Sequence, residues 1–193
     1  FRMGIPVTGK NLFQSNSAGL PTWYNIRVSD KGYMSLEKKS DVVISVNQAT
    51  IDEDLTLLKP GGLFIHTANL KITKPVPPGV TVLPIDFSKI AGTVNDSIKI
   101  KKLLTNMVYV GVMAELLHIP DEVLKGAVEH QFENKQKVID MNVLATAAGR
   151  TYCRDHIKID FHFQLEKREF NKGKILMEGN AAAGLGSVFA GCT

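Results

Sequence analysis

Cysteine is scarce. The 193-residue chain holds two, Cys153 and Cys192, far apart and with no CxxC spacing. That argues against a disulfide scaffold and against an iron–sulfur site within this chain, and it favours a reducing compartment, the cytoplasm. Aromatic residues make up only 7%, with a single tryptophan, Trp23. No apolar run approaches the length needed to span a membrane as a helix. Phe1-Arg2-Met3 lacks the charged-then-apolar order of a signal peptide. The chain does not begin on Met, and Thr193 follows a helical run with no stop signal, so it reads as cut from something longer at both ends. No GxGxxG, Walker loop, GxSxG or HExxH is present, and the acids scatter without a paired arrangement. The chain alone offers no catalytic machinery.

Charge of one sign does not dominate either. The net charge is +4, spread over clusters such as Lys38-Lys39, Lys99/Lys101/Lys102 and Lys167-Arg168. A nucleic-acid domain gathers its charge on one element with a recognition motif beside it. These clusters read as solvated surface, with a phosphate-bearing small ligand as the lesser option. Cys153, His156 and His162 are three metal candidates, too few and too widely spaced for a zinc site.

What is present is a core and a polar loop. Hydrophobic residues make up 44% of the chain, enough for one α/β domain with a short appendage. Gly9 to Val28, GKNLFQSNSAGLPTWYNIRV, crowds Lys10, Asn11, Ser15, Asn16, Ser17, Gly19, Pro21 and Thr22 ahead of Trp23-Tyr24. Asn, Ser and Gly in such density make a loop, and burial of Trp23 would fix it against a core. A loop this long and rich in amides and hydroxyls suits a polar ligand; the plain alternative is a surface loop with no partner.

Short strands are expected at Ile5–Val7 and at Trp23–Ser29, the latter with one buried face. Asp41–Val46 is a continuous β-branched run, the mark of a strand buried on both faces. A short helix over Gln48–Leu58 follows from Ile51, Leu55 and Leu58. Strands are expected at Leu63–Thr67 and Val80–Phe87. This βαβ rhythm folds into a layered α/β sandwich. A helix from about Asn95 has apolar residues on two faces, so it lies between layers, and Gly111 in its middle implies a close neighbour. Two further helices follow, one to about Phe132 and one marked by Val138 to Tyr152. Asp155–Glu166 alternates as a strand with one wet face. Lys167–Lys174 is a charged linker, and Ile175 onward reads as strand, turn and small-residue helix.

Two amides stand out. Asn47 ends a strand of a parallel sheet, where ligands of such sheets bind. Asn106 interrupts an apolar helix, and a buried amide must be hydrogen-bonded. For each, a bond to neighbouring backbone and a ligand contact remain open. Glu178-Gly179-Asn180 opens a helix in the manner of an anion-receiving turn, a weak signal.

Taken together, Gly9–Tyr33, Asp41–Asn47, Leu58–Ile65, Thr105–Leu117 and Lys174–Cys192 occur in an order that resembles one family. This is the alpha subunit of 2-oxoacid:ferredoxin oxidoreductases, 2-oxoglutarate type, with a gamma-type domain fused ahead of the alpha domain. The resemblance implies an α/β/α three-layer sandwich with a mostly parallel central sheet, like domain III of pyruvate:ferredoxin oxidoreductase. It implies a gamma-type domain over residues 1–165, lacking its first strand and small-residue loop, a linker over 166–173, and the opening of a thiamine-associated domain over 174–193. The implied enzyme oxidatively decarboxylates a 2-oxoacid, 2-oxoglutarate by type, and passes electrons to ferredoxin and the acyl group to coenzyme A. Thiamine diphosphate, Mg2+ and iron–sulfur clusters belong to the full complex, which is a heteromer with a thiamine-binding beta subunit. Coenzyme A would be lined by Lys10, Asn11, Ser15, Asn16, Gly19, Pro21 and Thr22, with Asn47 and Asn106 facing the same pocket. Ala181 stands where the family usually carries Glu. No catalytic residue and no metal ligand is implied here, and no nucleic acid or membrane partner. The competing reading is a non-enzymatic interaction domain whose polar loop docks a partner chain.

Overall fold

The computed structural model describes residues 1–13 and 20–192. Its centre is a three-stranded parallel sheet of β3 (Ser40–Ser45), β4 (Leu58–Thr67) and β5 (Thr81–Ile85), in that spatial order. Val42, Val43 and Ile44 pair with Leu63, Phe64 and Ile65, which pair in turn with Thr81, Val82 and Leu83. Side chains alternate between faces, so the apolar run splits into two cores. Leu63, Ile65 and Ile85 face α2 (Phe87–Gly92), α3 (Ile98–Leu116) and α5 (Gln136–His156). Phe64 and Val43 face the other way, onto Ile51 of the short α1 (Ile51–Asp54), Leu55 of the 3-10 turn after it and Leu58 at the start of β4. The result is the expected α/β/α layering around a parallel sheet.

Several elements differ from the sequence reading. Phe87 opens a helix instead of closing a strand, because Asp86 caps it by accepting from the Lys89 amide at 2.9 Å. Pro60-Gly61-Gly62 lies inside β4, where the register against β3 slips. Residues 157–165 do alternate, and Ile157, Ile159 and Phe161 pack on the larger core, but no strand ladder forms there among the described residues. The segment docks by side chains and by the Leu165 amide donating to the Leu117 carbonyl at 3.0 Å. Ile175–Met177 is not a strand either. Beyond it, α6 (Gly179–Phe189) buries none of its residues.

The two long helices, α3 and α5, meet in a tight joint. A methyl group on Gly111 would sit 2.1 Å from the Thr146 carbonyl oxygen, and one on Gly149 would sit 2.1 Å from that of Val108. The two backbones touch through paired glycines, as expected for Gly111. Val108 and Val112, fully buried beside this contact, fill the remaining space. Glu115 of α3 adds charge across the joint, 3.1 Å from both Arg150 and Arg154 of α5. The Arg154 hydrogen bond, helped by Arg150 and opposed by partial burial, holds the Glu115 carboxyl below its usual range.

Gly111→Ala is therefore expected to destabilise the fold by about 1–3 kcal/mol, despite alanine's better helix propensity. Gly126→Ala, in α4 (Asp121–Gln131) with its methyl at least 3.6 Å from a neighbour, should gain up to about 1 kcal/mol. Urea unfolding of both variants checks this; a Gly111→Ala protein as stable as wild type contradicts the close contact.

Candidate functional site

A second sheet decides where the polar loop sits. β1 (Val7–Leu12) and β2 (Trp23–Val28) form an antiparallel hairpin, with Leu12 opposite Trp23 and Val7 opposite Val28. Lys10 and Asn11 are thus strand residues, where a loop was expected. Pairing with β2 supplies their backbone partners and overrides the turn-forming composition. The expected short strand accordingly begins at Val7 and runs to Leu12. Ser15, Asn16 and Gly19 lie outside the described residues.

The structure settles which face of β2 turns inward. Tyr24, Ile26 and Val28 point to solvent, the first two about 65% exposed, while Trp23, Asn25 and Arg27 turn inward and are half-buried. One buried face was expected, and the alternation is present; the side of Trp23, Asn25 and Arg27 faces inward because it carries the links to the body. At one end, Trp23 Nε1 donates to Asp54 Oδ1 at 2.6 Å. At the other, Arg27 pairs with Glu37 at 3.4 Å, and Glu37 with Lys59 at 2.8 Å. Lys59 also pairs with Asp41, 3.2 Å away at the start of β3. The hydrogen bond from Lys59 holds the Glu37 carboxyl below its usual range. The hairpin is pinned near both edges of the parallel sheet, and its Leu12/Trp23 end lies at the carboxyl edge.

Asp54 is the hub of that end. It is 4% exposed and accepts from Trp23 Nε1, from Ser45 Oγ at 2.6 Å and from Thr50 Oγ1 at 3.0 Å. A buried carboxylate is tolerated only when its oxygens are satisfied, and three donors do this. Ser45 is the last residue of β3, and Thr50 precedes α1. The carboxylate thus ties the stem of the polar loop to the strand end that Asn47 follows. None of these three residues was singled out from the sequence. The available signal was an acid one position before Leu55 on a short apolar helix stripe.

Asn47 is exposed, and its Oδ1 accepts from the Ala49 amide at 3.0 Å. That is the local backbone bond, and it leaves the side-chain NH2 facing out. His66 is the neighbour across the strands: Ser45 and His66 are register partners. It is only 5% exposed, with its ring stacked on Phe64 and Nδ1 2.9 Å from the Thr67 carbonyl.

Pro21 and Thr22 lead directly into Trp23, and Lys10 and Asn11 stand on the partner strand at the same end. The structure thus gathers Lys10, Asn11, Pro21, Thr22 and Asn47 around the carboxyl edge, on the α1 side. Asn106 is elsewhere. It lies on α3, in the helical layer on the far face of the sheet, and it is exposed where a buried amide was expected. Leu104 and Val108, two residues to either side, take the core positions.

Two clefts lie away from these residues. One, of about 240 Å³, is at the amino edge of the sheet, lined by Asp41, Gly62, Thr81, Phe161 and His162. The other, of about 320 Å³, is apolar and runs between Val7, Val28 and the α4 residues Val123 and Leu124. Among the described residues no group of three His, Cys, Asp or Glu side chains could hold a metal ion. Burial pushes the Cys153 thiol up to about 11, so it behaves as an inert core residue.

Asp54→Ala should release the sole tryptophan from its acceptor. The expected outcome is a red-shifted Trp23 emission with greater acrylamide quenching, in protein that retains its helical circular dichroism. Unchanged emission contradicts the hub.

Comparison with known proteins agrees with this architecture. The profile of the pyruvate ferredoxin/flavodoxin oxidoreductase family matches residues 1–152. The chain is 22% identical to the 2-oxoacid:ferredoxin oxidoreductase 2 alpha subunit of Aeropyrum pernix, over 79% of this chain and 30% of that one. It superposes with a TM-score of 0.82 and 27% identity on 2-oxoglutarate:ferredoxin oxidoreductase from Magnetococcus marinus, solved with 2-oxoglutarate, coenzyme A and succinyl-CoA bound. That match covers 98% of this chain and 33% of the other. The keto/oxoacid ferredoxin oxidoreductase gamma subunit of Geobacter sulfurreducens shares the fold, with a TM-score of 0.60 and 19% identity over 78% of this chain and 82% of that one. The chain thus spans about a third of the Aeropyrum and Magnetococcus proteins. From the profile match over most of its length, the chain belongs to the pyruvate ferredoxin/flavodoxin oxidoreductase family.

Proposed function

We propose that this chain is part of the alpha subunit of a 2-oxoacid:ferredoxin oxidoreductase, and that its carboxyl edge helps hold coenzyme A. The observation that carries the reading is the superposition over 98% of the chain on an enzyme solved with coenzyme A bound. The assembly would oxidise a 2-oxoacid, 2-oxoglutarate by that likeness, to its acyl-CoA while reducing ferredoxin. Residues 1–165 form the gamma-type domain in this reading, 166–173 the linker, and 174–193 the start of the next domain. The wholly exposed α6 supports that division, because an isolated apolar helix needs a neighbour.

The residues present suit the ligand. Lys10 supplies a cation for phosphate, and Asn11, Thr22 and Asn47 supply uncharged hydrogen-bonding groups beside it. Ser15, Asn16, Gly19 and Pro21 belong to the same loop in sequence. Asn106, on the far face, would reach the ligand only over the sheet's edge. Holding the nucleotide positions the thiol for attack on the acyl group, which makes an encounter in solution an intramolecular one. Thiamine diphosphate, Mg2+ and the iron–sulfur cluster are assigned to other parts of the assembly. They would supply the decarboxylation and electron transfer. The outward Tyr24, Ile26 and Val28 offer a surface for subunit contact, with the beta subunit as the proposed neighbour.

The test uses the intact assembly and a coenzyme A titration. Lys10→Ala and Asn47→Ala should each raise KM for coenzyme A about 3- to 10-fold, the scale of one lost hydrogen bond or phosphate contact. KM for the 2-oxoacid should not move. An unchanged coenzyme A KM in both Lys10→Ala and Asn47→Ala would remove the carboxyl edge from the site, and an unchanged one in Asn106→Ala would remove that residue.

A further inference from the structure

The Asp54 hub uses up its own hydrogen-bonding capacity, but two groups beside it do not. Asn47 spends Oδ1 on the Ala49 amide and keeps two N–H donors, on an exposed side chain. His66 lies within hydrogen-bonding distance of the Thr67 carbonyl through Nδ1. A carbonyl only accepts, so Nδ1 donates, and in that tautomer the lone pair is on Nε2. Among the described residues Nε2 has no hydrogen-bond partner. It is not among the enclosed side-chain nitrogens and oxygens that lack a hydrogen bond among those residues, so it keeps some access to solvent. A residue that is only 5% exposed thus keeps one unused acceptor at the sheet's carboxyl edge. Buried polar side chains nearly always find a partner, and one that does not needs a reason.

The two groups are neighbours by topology. His66 is the register partner of Ser45, and Asn47 stands two residues beyond Ser45, just past the end of β3. Ser45 and His66 both lie on the α1 side, since Ser45 bonds to Asp54 and His66 stacks on Phe64 of the smaller core. The edge therefore offers an unused donor just past the end of β3 and an unused acceptor near the end of β4.

We infer that His66 is a specificity-determining residue for adenine: Nε2 accepts from the exocyclic amino group while the Asn47 amide donates to a neighbouring ring nitrogen. An adenine edge presents a donor beside an acceptor, the complement of this pair. Phe64 locks the imidazole beneath it, so the acceptor is preorganised and loses little freedom on binding. The inference rests on the coenzyme A reading above, and it assigns the base end of that ligand. A site built to accept a hydrogen bond disfavours an analogue that offers an oxygen in its place.

The test compares coenzyme A with its hypoxanthine analogue, in which a 6-oxo group replaces the 6-amino group, using the intact assembly. Wild type should favour coenzyme A in kcat/KM by about 3- to 10-fold. His66→Phe, which keeps the stacking on Phe64, should bring that ratio close to one. His66→Gln, whose amide oxygen can accept, should retain part of the preference, and it serves as the variant if His66→Phe does not assemble. An undiminished ratio in the variants, or no preference in wild type, overturns the role of His66 while leaving the coenzyme A reading intact. Failure of either nucleotide to saturate the wild-type assembly overturns that reading itself.

Discussion

The Asp54 carboxylate is the constraint on which the site depends. A two-stranded hairpin has little stability of its own, and this one turns its apolar face to solvent. It stays in place because its inward face is polar and engaged. Trp23 reaches the one carboxylate that also holds Ser45 and Thr50. The result joins three pieces of chain distant in sequence: the stem of the polar loop, the end of a central strand, and the helix that follows. Hydrogen bonds to a buried charge are stronger than neutral ones and more costly to break, so the joint is specific as well as firm.

Much of this fold was legible in the sequence. The β-branched run Val42-Val43-Ile44 could only be a strand covered on both faces, and Gly111 could only mean a close backbone neighbour. Both hold, the second at the α3–α5 contact with Thr146. Less legible was anything set by partners distant in sequence. Lys10 and Asn11 have loop composition but belong to a strand, because the pairing that decides it comes from residues beyond Gly19. Residues 157–165 have strand periodicity without a ladder, since alternation reports which side chains face the core and says nothing of a neighbouring backbone. Which face of β2 turns inward was not set by the sequence for the same reason: hydropathy alone would favour Ile26, and the ion pair of Arg27 with Glu37 puts the other side inward.

The placement of the candidate residues was legible in part. Asn47 was found from its position after a strand, and it does stand at the carboxyl edge beside the loop stem. Asn106 was found from an interruption in an apolar pattern. Its neighbours Leu104 and Val108 share the core face, and Asn106 falls on the outer one. Helical periodicity applied to Leu104, Val108 and Val112 alone separates it from them. Asp54 and His66 were hidden because their surroundings come from other strands, and neither residue type is unusual where it occurs.

The central claim is that ligand binds at the carboxyl edge, on the α1 side. Hydrogen–deuterium exchange of the intact assembly, with and without coenzyme A, addresses it directly. The account predicts slowed exchange in residues 10–23 and 46–50 on adding coenzyme A, with residues 157–165 at the opposite edge unaffected. Protection confined to 157–165, around the amino-edge cleft, would contradict it.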